Sequence, residues 1–498
     1  MHQELMYIDG EWSPSTTGRW REVRNPSTGN VIAEVADGGA QDADRAVAAA
    51  RRAFDHGPWP RLRPEQRRDT LLRLAEALSA RTDIFIRLVT EDAGCPVRLT
   101  EMMQVGTPIG QLQDFAEQAL LLRPTGNTID HAPTFGISEV HREPIGVCVG
   151  FTPYNFPLFM NIWKLAPAVA MGNTVVLKPS PLTPRAAGEL ARACEEAGFP
   201  PGVVNIVHGD IEVGERLVEH PDVNKISFTG STAVGKLVMA KAADTVKRVT
   251  LELGGKSPSI MLPDADAEMV VRGTLFGSMV HAGQGCVCTT RMLVPSARYD
   301  EVVDLLRERA SVIQVGPADD YASDIGPVIS RAQLEKIEAF VASALEEGAK
   351  ILVGGRRVEG LGGGYYYEPT VLVDVRNDMR VAQEEIFGPV LSVIRYDTVA
   401  DAVAIANDSI YGLGAVVWGT NVRAARDVAA RISAGTVWVN DFGAVSSKGP
   451  FGGFKQSGIG RELSAEAALE YTEPKHIYTV LDQELEQRPY GLVGMEWE

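Results

Sequence analysis

Between Ile145 and Leu253 short apolar runs alternate with helix-length segments, and this alternation constrains the fold more tightly than any other feature of the chain. Strands are expected over Gly146 to Gly150, Thr174 to Leu177, Val203 to Val207, Lys225 to Phe228 and Val249 to Leu253. Between them lie helical segments, Leu158 to Met171, Arg185 to Ala197, Val213 to Glu219 and Thr232 to Ala243. Strands separated by helices pair in parallel through right-handed crossovers, which builds a doubly wound α/β sheet. The carboxyl edge of such a sheet holds a nucleotide-sized ligand, so the region reads as a dinucleotide-binding domain.

The usual fingerprint of these domains, G-x-G-x-x-G, is absent after the first strand. The nearest phosphate-loop candidate is Gly230-Ser231-Thr232-Ala233-Val234-Gly235-Lys236, which follows a strand and opens a helix. Its free amides and the helix dipole can hold an anion. A plain glycine helix start is an equal alternative. Leu237 stands where an NTP-binding loop places Ser or Thr for magnesium, which disfavours a kinase or ATPase.

At 498 residues the chain exceeds a single core, and two or three domains are expected. A net charge of −17 repels phosphate backbones and anionic headgroups, so neither nucleic acid nor a membrane surface is expected as a partner. The one basic run, Arg61 to Arg68, reads as a solvated helix start. No stretch of about 18 uncharged apolar residues occurs, and Met1-His2-Gln3-Glu4 lacks the basic-then-apolar pattern of a leader, so a cytoplasmic protein is expected. Five scattered cysteines, Cys95, Cys148, Cys194, Cys286 and Cys288, fit a reducing compartment. No second cysteine pair or histidine cluster with zinc spacing accompanies the last two, and no metal is expected.

Chemistry is suggested by two short stretches. Leu251-Glu252-Leu253-Gly254-Gly255-Lys256-Ser257 puts an acid at the end of an apolar strand, and Gly283-Gln284-Gly285-Cys286 puts a thiol in a glycine-flanked turn. A thiolate is strongly nucleophilic near neutral pH, and flanking glycines let a reacting carbon approach the sulfur. Taken alone, Cys286 is more often a buried structural cysteine and Glu252 a solvated strand-end acid.

The rest of the chain changes that balance. Phe151-Thr152-Pro153-Tyr154-Asn155-Phe156-Pro157, Leu177-Lys178-Pro179-Ser180, Phe228-Thr229-Gly230-Ser231-Thr232, Glu385-Ile386-Phe387-Gly388-Pro389 and Pro450-Phe451-Gly452-Gly453 join the two stretches above in one order along the sequence. In this set the chain resembles the NAD(P)-dependent aldehyde dehydrogenase superfamily, from about Tyr7 to within some twenty residues of its end. The resemblance implies an aldehyde dehydrogenase-like α/β fold: a doubly wound cofactor domain, a second α/β catalytic domain and a β oligomerisation arm. It places the cofactor domain at residues 1–122 and 145–255, the catalytic domain at 256–455, and the arm with the C-terminal segment at 123–144 and 456–498. Thr134 to His141 and Ile477 to Leu481 are the arm's strand candidates, and a homodimer or homotetramer is expected. An acidic tail after Asp482 departs from the common family ending.

By the same resemblance Cys286 attacks the aldehyde carbon, Asn155 and the Cys286 N–H hold the oxyanion, and Glu252 activates the water that releases a free acid. Each oxyanion donor in a dry site can be worth roughly 3 kcal/mol of barrier. Branches that pass the acyl group to coenzyme A generally lack this glutamate, so Glu252 argues against an acylating enzyme. Lys178, Gly230, Ser231, Gly235, Glu385, Phe387 and Tyr154 correspond to cofactor contacts. NAD is the expected cofactor. NADP stays open, because Pro181 occupies the place where NAD-preferring members carry a glutamate.

Gly285 and His281 are further departures; the first suggests room around the thiol, and the second reads as a core or helix-end residue. Phe156, Phe159, Met160, Trp163, Cys288 and Phe442 are candidates for the substrate pocket. The stretch from Phe156 to Trp163 carries an aromatic stripe that is as a rule core rather than pocket. No arginine stands among these residues, which favours an apolar or aromatic aldehyde over a carboxylate-bearing semialdehyde. A noncatalytic ligand-binding relative is the alternative from another class, and the intact trio of Cys286, Glu252 and Asn155 counts against it.

Overall fold

The computed structural model describes residues 2–122, 125–130 and 135–481. The five expected strands are present as Val147–Phe151, Thr174–Lys178, Val204–Ile206, Lys225–Thr229 and Arg248–Glu252. They pair in parallel, with Val147–Phe151 between Thr174–Lys178 on one side and Lys225–Thr229 on the other. Numbered along the chain, their order across the sheet is 3-2-1-4-5. That order reverses direction at Val147–Phe151, and the reversal opens a crevice beyond the carboxyl ends of the first and fourth strands.

The connecting helices follow local chemistry. Arg185–Ala197 has the expected limits and stops at Gly198, whose φ of 86° is left-handed. Pro157–Ala170 starts one residue before its expected limit, with Pro157 in the first turn, where a missing N–H is harmless. Every residue of this helix except Met160 is buried, so it crosses the core rather than covering it. Each fully buried Leu or Ile there contributes about 1.5–3 kcal/mol of transfer free energy.

Short antiparallel strands cover both edges of this sheet. Met6–Ile8 and Glu11–Ser13 lie at one side, and Gly458–Ile459 pairs with Arg248–Glu252 at the other. A second sheet of seven strands runs in the order Lys350–Val353, Thr370–Val373, Val390–Tyr396, Arg291–Pro295, Pro258–Met261, Gly414–Trp418 and Thr436–Val439. All its pairs are parallel except the first. Thr370–Val373 and Gly414–Trp418 are buried along their whole length, as strands covered on both faces are.

A three-stranded antiparallel sheet joins Thr472–Val480, Gly136–Pro144 and Thr125–Asp130. It contains Gly136 to His141 and Ile477 to Val480 of the two strand candidates of the arm; Phe135 and Leu481 lie just beyond the strands, and Thr134 and the acidic tail after Asp482 lie outside the described residues. The basic run contains the expected helix start, at Pro64–Ser79, but is not wholly solvated: Arg67 is 3% exposed and donates to the carbonyls of Ala170 (3.0 Å) and Leu62 (2.6 Å). Among the described residues no helix is long and apolar enough to cross a membrane, and no group of His, Cys, Asp and Glu could hold a metal ion.

Candidate active site

The crevice opens into a cavity of about 410 Å³. Tyr154, Asn155, Phe156 and Met160 line it from the loop after the first strand and the helix that follows. Lys178, Gly230, Ser231 and Glu252 line it from the ends of three other strands, and Cys286, Glu385 and Phe387 from loops of the second sheet.

Glycines let those loops meet. A Cβ on Gly255 would lie 2.3 Å from the Cys286 carbonyl oxygen, so the segment carrying Glu252 rests directly on the thiol turn. Gly283, with φ 71°, packs against the Gly388 carbonyl, which an added Cβ would approach to 2.1 Å. His281 and Ala282 before it also have left-handed φ values, 51° and 55°, an unusual backbone for residues with side chains. The glycine-flanked turn is thus a strained loop clamped between two others.

Asn155 is buried at the mouth of this loop, and its Nδ2 donates to the Gln284 carbonyl at 2.7 Å. An amide NH₂ has two donors, so one remains for a ligand. Gln104 holds the Asn155 carbonyl at 3.1 Å from a π-helical turn, Thr100–Val105. The Cys286 backbone N–H acts on its own thiol, opposing the rise that burial causes. Asn155 thus keeps one N–H uncommitted in the same cavity wall as Cys286, beside the carbonyl of Gln284 in the thiol turn.

The Cys286 thiol is only partly covered by protein and faces the cavity. Desolvation raises its pKa well above that of a free thiol, and the Glu252 and Glu385 carboxylates raise it further. The resting sulfur is a thiol that must give up a proton to react. Glu252 is 3% exposed, and neither carboxyl oxygen has a protein partner. Burial, and next the charge of Glu462, hold its pKa well above the usual carboxylate range, against the pull of Lys164 and Arg461. A buried carboxyl with both oxygens unclaimed has the hydrogen-bonding capacity to position water. Behind it Lys164 and Glu462 form a fully buried ion pair, and Ser227 Oγ donates to Glu462 at 3.3 Å.

The far end of the cavity has a different character. Ser231 caps the helix Thr232–Ala242 by accepting from the Val234 N–H at 3.3 Å. Burial lowers Lys178 to about 8, with Asp210 opposing that shift. Glu385 accepts from the Gly255 N–H at 3.0 Å, and Phe387 meets Tyr154 edge-on at 5.9 Å. Gly235 is not part of the cavity wall: a Cβ there would lie 2.4 Å from Leu253, so this glycine serves the close packing of helix on strand.

The aldehyde dehydrogenase family pattern matches residues 12–477. A putative aldehyde dehydrogenase of Bacillus subtilis is 41% identical over 478 residues, 96% of each chain. A geranial dehydrogenase of Castellaniella defragrans is 40% identical over 96% of this chain and 98% of its own. The crystal structure of a betaine aldehyde dehydrogenase from Staphylococcus aureus in complex with NAD+ superposes with a TM-score of 0.95 at 38% identity, covering 97% of this chain and 96% of that one. The chain belongs to the aldehyde dehydrogenase family.

As an aldehyde dehydrogenase, the chain is an oxidoreductase of the aldehyde group, and its pocket candidates separate into two sets. Phe156 and Met160 line the cavity; Phe159, Trp163, Cys288 and Phe442 do not. Phe159, Trp163 and Phe451 stack edge to face at 4.8 and 5.3 Å, with the Trp163 indole bound to Gln111 at 2.9 Å. Phe442 is packed against Trp438 and Phe276. The space left by Gly285 is taken by Cys288, whose sulfur would lie 2.8 Å from an added Cβ. His281 is fully buried, edge-on to Phe156 at 5.7 Å.

Four further residues of the site escape sequence reasoning. Gln333 and Lys336 line the cavity from one helix, Arg331–Glu346, and Gln333 Nε2 holds the Ile386 and Phe387 carbonyls at 2.8 and 2.9 Å. Lys164 and Glu462 stand behind Glu252. A lysine at position 164, inside an apolar helix, was the one available signal, since a buried lysine requires a partner.

Proposed function

We propose that this aldehyde dehydrogenase converts an apolar or aromatic aldehyde to the free acid, with Cys286 as nucleophile, Asn155 as oxyanion donor and Glu252 as base. The observation that carries this reading is one cavity wall holding a thiol, the buried Asn155 amide with one N–H uncommitted, and a buried carboxyl with both oxygens unclaimed. The partly exposed Cys286 thiol gives its proton to solvent reaching the cavity, the sulfur adds to the carbonyl carbon, and the oxygen takes the negative charge against the Asn155 amide and the Cys286 N–H. Acceptance of the electron pair leaving that carbon is the chemistry a bound NAD or NADP supplies. Glu252 then removes a proton from water, whose oxygen attacks the thioester and restores the thiol.

A dinucleotide fits the remaining groups. Gly230 and Ser231 offer a helix start to phosphates, Lys178 and Lys336 offer donors, and Glu385 offers a carboxylate fixed by Gly255. NAD is the preferred reading, in line with the NAD+ complex of the Staphylococcus aureus relative. Asp210 and Asp37 act on Lys178 with opposite charge, but both are paired with Arg21, whose charge works against them, so they do not replace the carboxylate that Pro181 lacks. Pro181→Glu should raise the NAD to NADP ratio of kcat/KM by about tenfold, through repulsion of a 2′-phosphate; an unchanged ratio measured with both cofactors removes position 181 from the adenosine end.

Asn155→Ala should lower kcat by about 10²–10³ while KM for the aldehyde changes far less, because the amide acts on charge present only after addition. Steady-state kinetics that show a rise in KM alone would assign Asn155 to ground-state binding. Phe156 and Met160 give the thiol end an apolar wall, and its lysines, Lys178 and Lys336, stand at the cofactor end. Reduced-cofactor absorbance with aliphatic, aromatic and acidic aldehydes, with and without coenzyme A, tests the whole reading. Preference for succinic semialdehyde over benzaldehyde, or dependence on coenzyme A, would overturn it.

The proposed domain limits are those given above, with a dimer or tetramer as the working assembly. Exposed Ile129, Val140 and Ile477 on the three-stranded sheet support an interface there. Five free cysteines support a reducing, cytoplasmic setting.

A further inference from the structure

Asn155 lies in the stretch from Thr152 to Phe156, which is neither helix nor strand, and Phe156 after it has φ −133° and ψ 66°. No regular ladder sets the direction of the Asn155 peptide, so individual contacts must. Two glutamines supply them. Gln284 offers its carbonyl to Asn155 Nδ2 at 2.7 Å, and its own side chain is locked in place: Nε2 donates to the His281 carbonyl at 3.2 Å, and Oε1 accepts from the Ile329 N–H at 2.9 Å. Gln104 takes the backbone end, donating from Nε2 to the Asn155 carbonyl at 3.1 Å. An amide is planar, so with one N–H on Gln284 the direction of the other follows from where the Asn155 backbone is held.

Gln104 reaches that carbonyl through a local irregularity. It stands in the π-helical turn Thr100–Val105, where one extra residue rotates the following side chains by about 100° relative to an α-helix. The turn is pinned at its first residue: Thr100 Oγ1 donates to the Cys95 carbonyl at 3.2 Å and accepts from Thr90 Oγ1 at 3.3 Å. Gln104 is fully buried, whereas Met102 in the same turn is 64% exposed. Stability does not explain an amide at this position. Gln104 Oε1 is buried without a protein partner, and the other polar group beside the side chain is the Cys95 thiol, which bonds weakly. An apolar side chain of the same length would fill the space without burying an unclaimed oxygen. What the amide adds is its hold on Asn155.

We propose that Gln104 is a positioning residue for the oxyanion step, its bond to the Asn155 carbonyl aiming the uncommitted Asn155 N–H at the oxygen of the adding aldehyde. The inference rests on Asn155 being the oxyanion donor. Gln104 does not line the cavity and acts only through Asn155. A donor whose direction drifts loses most of its value toward charge that exists only after addition, while binding of the aldehyde before that step changes little.

Gln104→Met should lower kcat about tenfold and leave KM for the aldehyde within about twofold, with the thermal midpoint little changed. The deciding measurement is the same substitution made in Asn155→Ala, which keeps the backbone carbonyl but has no amide to aim. There Gln104→Met should change kcat by less than about twofold. An equal loss in both backgrounds, a change confined to KM, or no loss in the single variant overturns the proposal. Gln104→Asn, whose amide falls one methylene short of the carbonyl, repeats the test where methionine does not fold, and the same outcomes decide it. Wild-type kcat in Asn155→Ala alone marks a different failure: it removes the oxyanion assignment, and this inference with it.

Discussion

Aldehyde-dependent formation of reduced cofactor should fall by at least about 10³-fold when Cys286 is replaced by alanine or serine. The size of the effect follows from what the cavity offers besides the sulfur. Asn155 and the Cys286 N–H can stabilise an oxyanion only after a nucleophile has added, so without the thiol they have nothing to act on. A serine hydroxyl holds its proton far more tightly, and no histidine lines the cavity to take it. Because the side chain is partly exposed, truncation should leave the fold intact, which an unchanged thermal midpoint would establish. Reduced cofactor accumulating in the alanine variant at the wild-type rate would remove Cys286 from the chemistry.

How much of this was readable in advance depends on whether a residue acts through its neighbours in sequence. The five parallel strands are legible because strands buried on both faces are nearly continuous apolar runs, and the helices between them carry their own starts and stops. The edge strands are not: Met6–Ile8, Glu11–Ser13 and Gly458–Ile459 have three, three and two residues, too few for any period to show. The thiol turn and the Glu252 segment are legible through their glycines, whose packing clamps the loops together. Lys164 and Glu462 are 298 residues apart, and no local pattern links them. Gln104 reaches Asn155 from a π-helical turn that no periodicity anticipates. The aromatic stripe misleads for a general reason: rings at helical spacing fill cores and line pockets with equal ease, and here Phe156 and Met160 reach the cavity while Phe159 and Trp163 do not.

Glu252→Gln should split the reaction in two. The variant should release about one equivalent of reduced cofactor per site in a burst, then turn over about 10²–10⁴-fold more slowly than the wild type. Glutamine preserves volume in a buried position, and it removes a carboxylate that, after burial, is the largest influence raising the Cys286 thiol, so acylation is not hindered. Hydrolysis is hindered, because an amide cannot take a proton from water. The acyl group should then be visible on Cys286 by intact mass. The wild type should show the pH dependence that this assignment demands. Burial and the Glu462 charge hold Glu252 well above the usual carboxylate range, so the ionised base becomes populated only as pH rises through that raised value, and steady-state turnover should climb with it. In Glu252→Gln that limb should vanish from the slow phase. A variant that turns over at the wild-type rate, or that loses the burst together with turnover, would mean that the water is activated elsewhere or that Glu252 serves the first step instead.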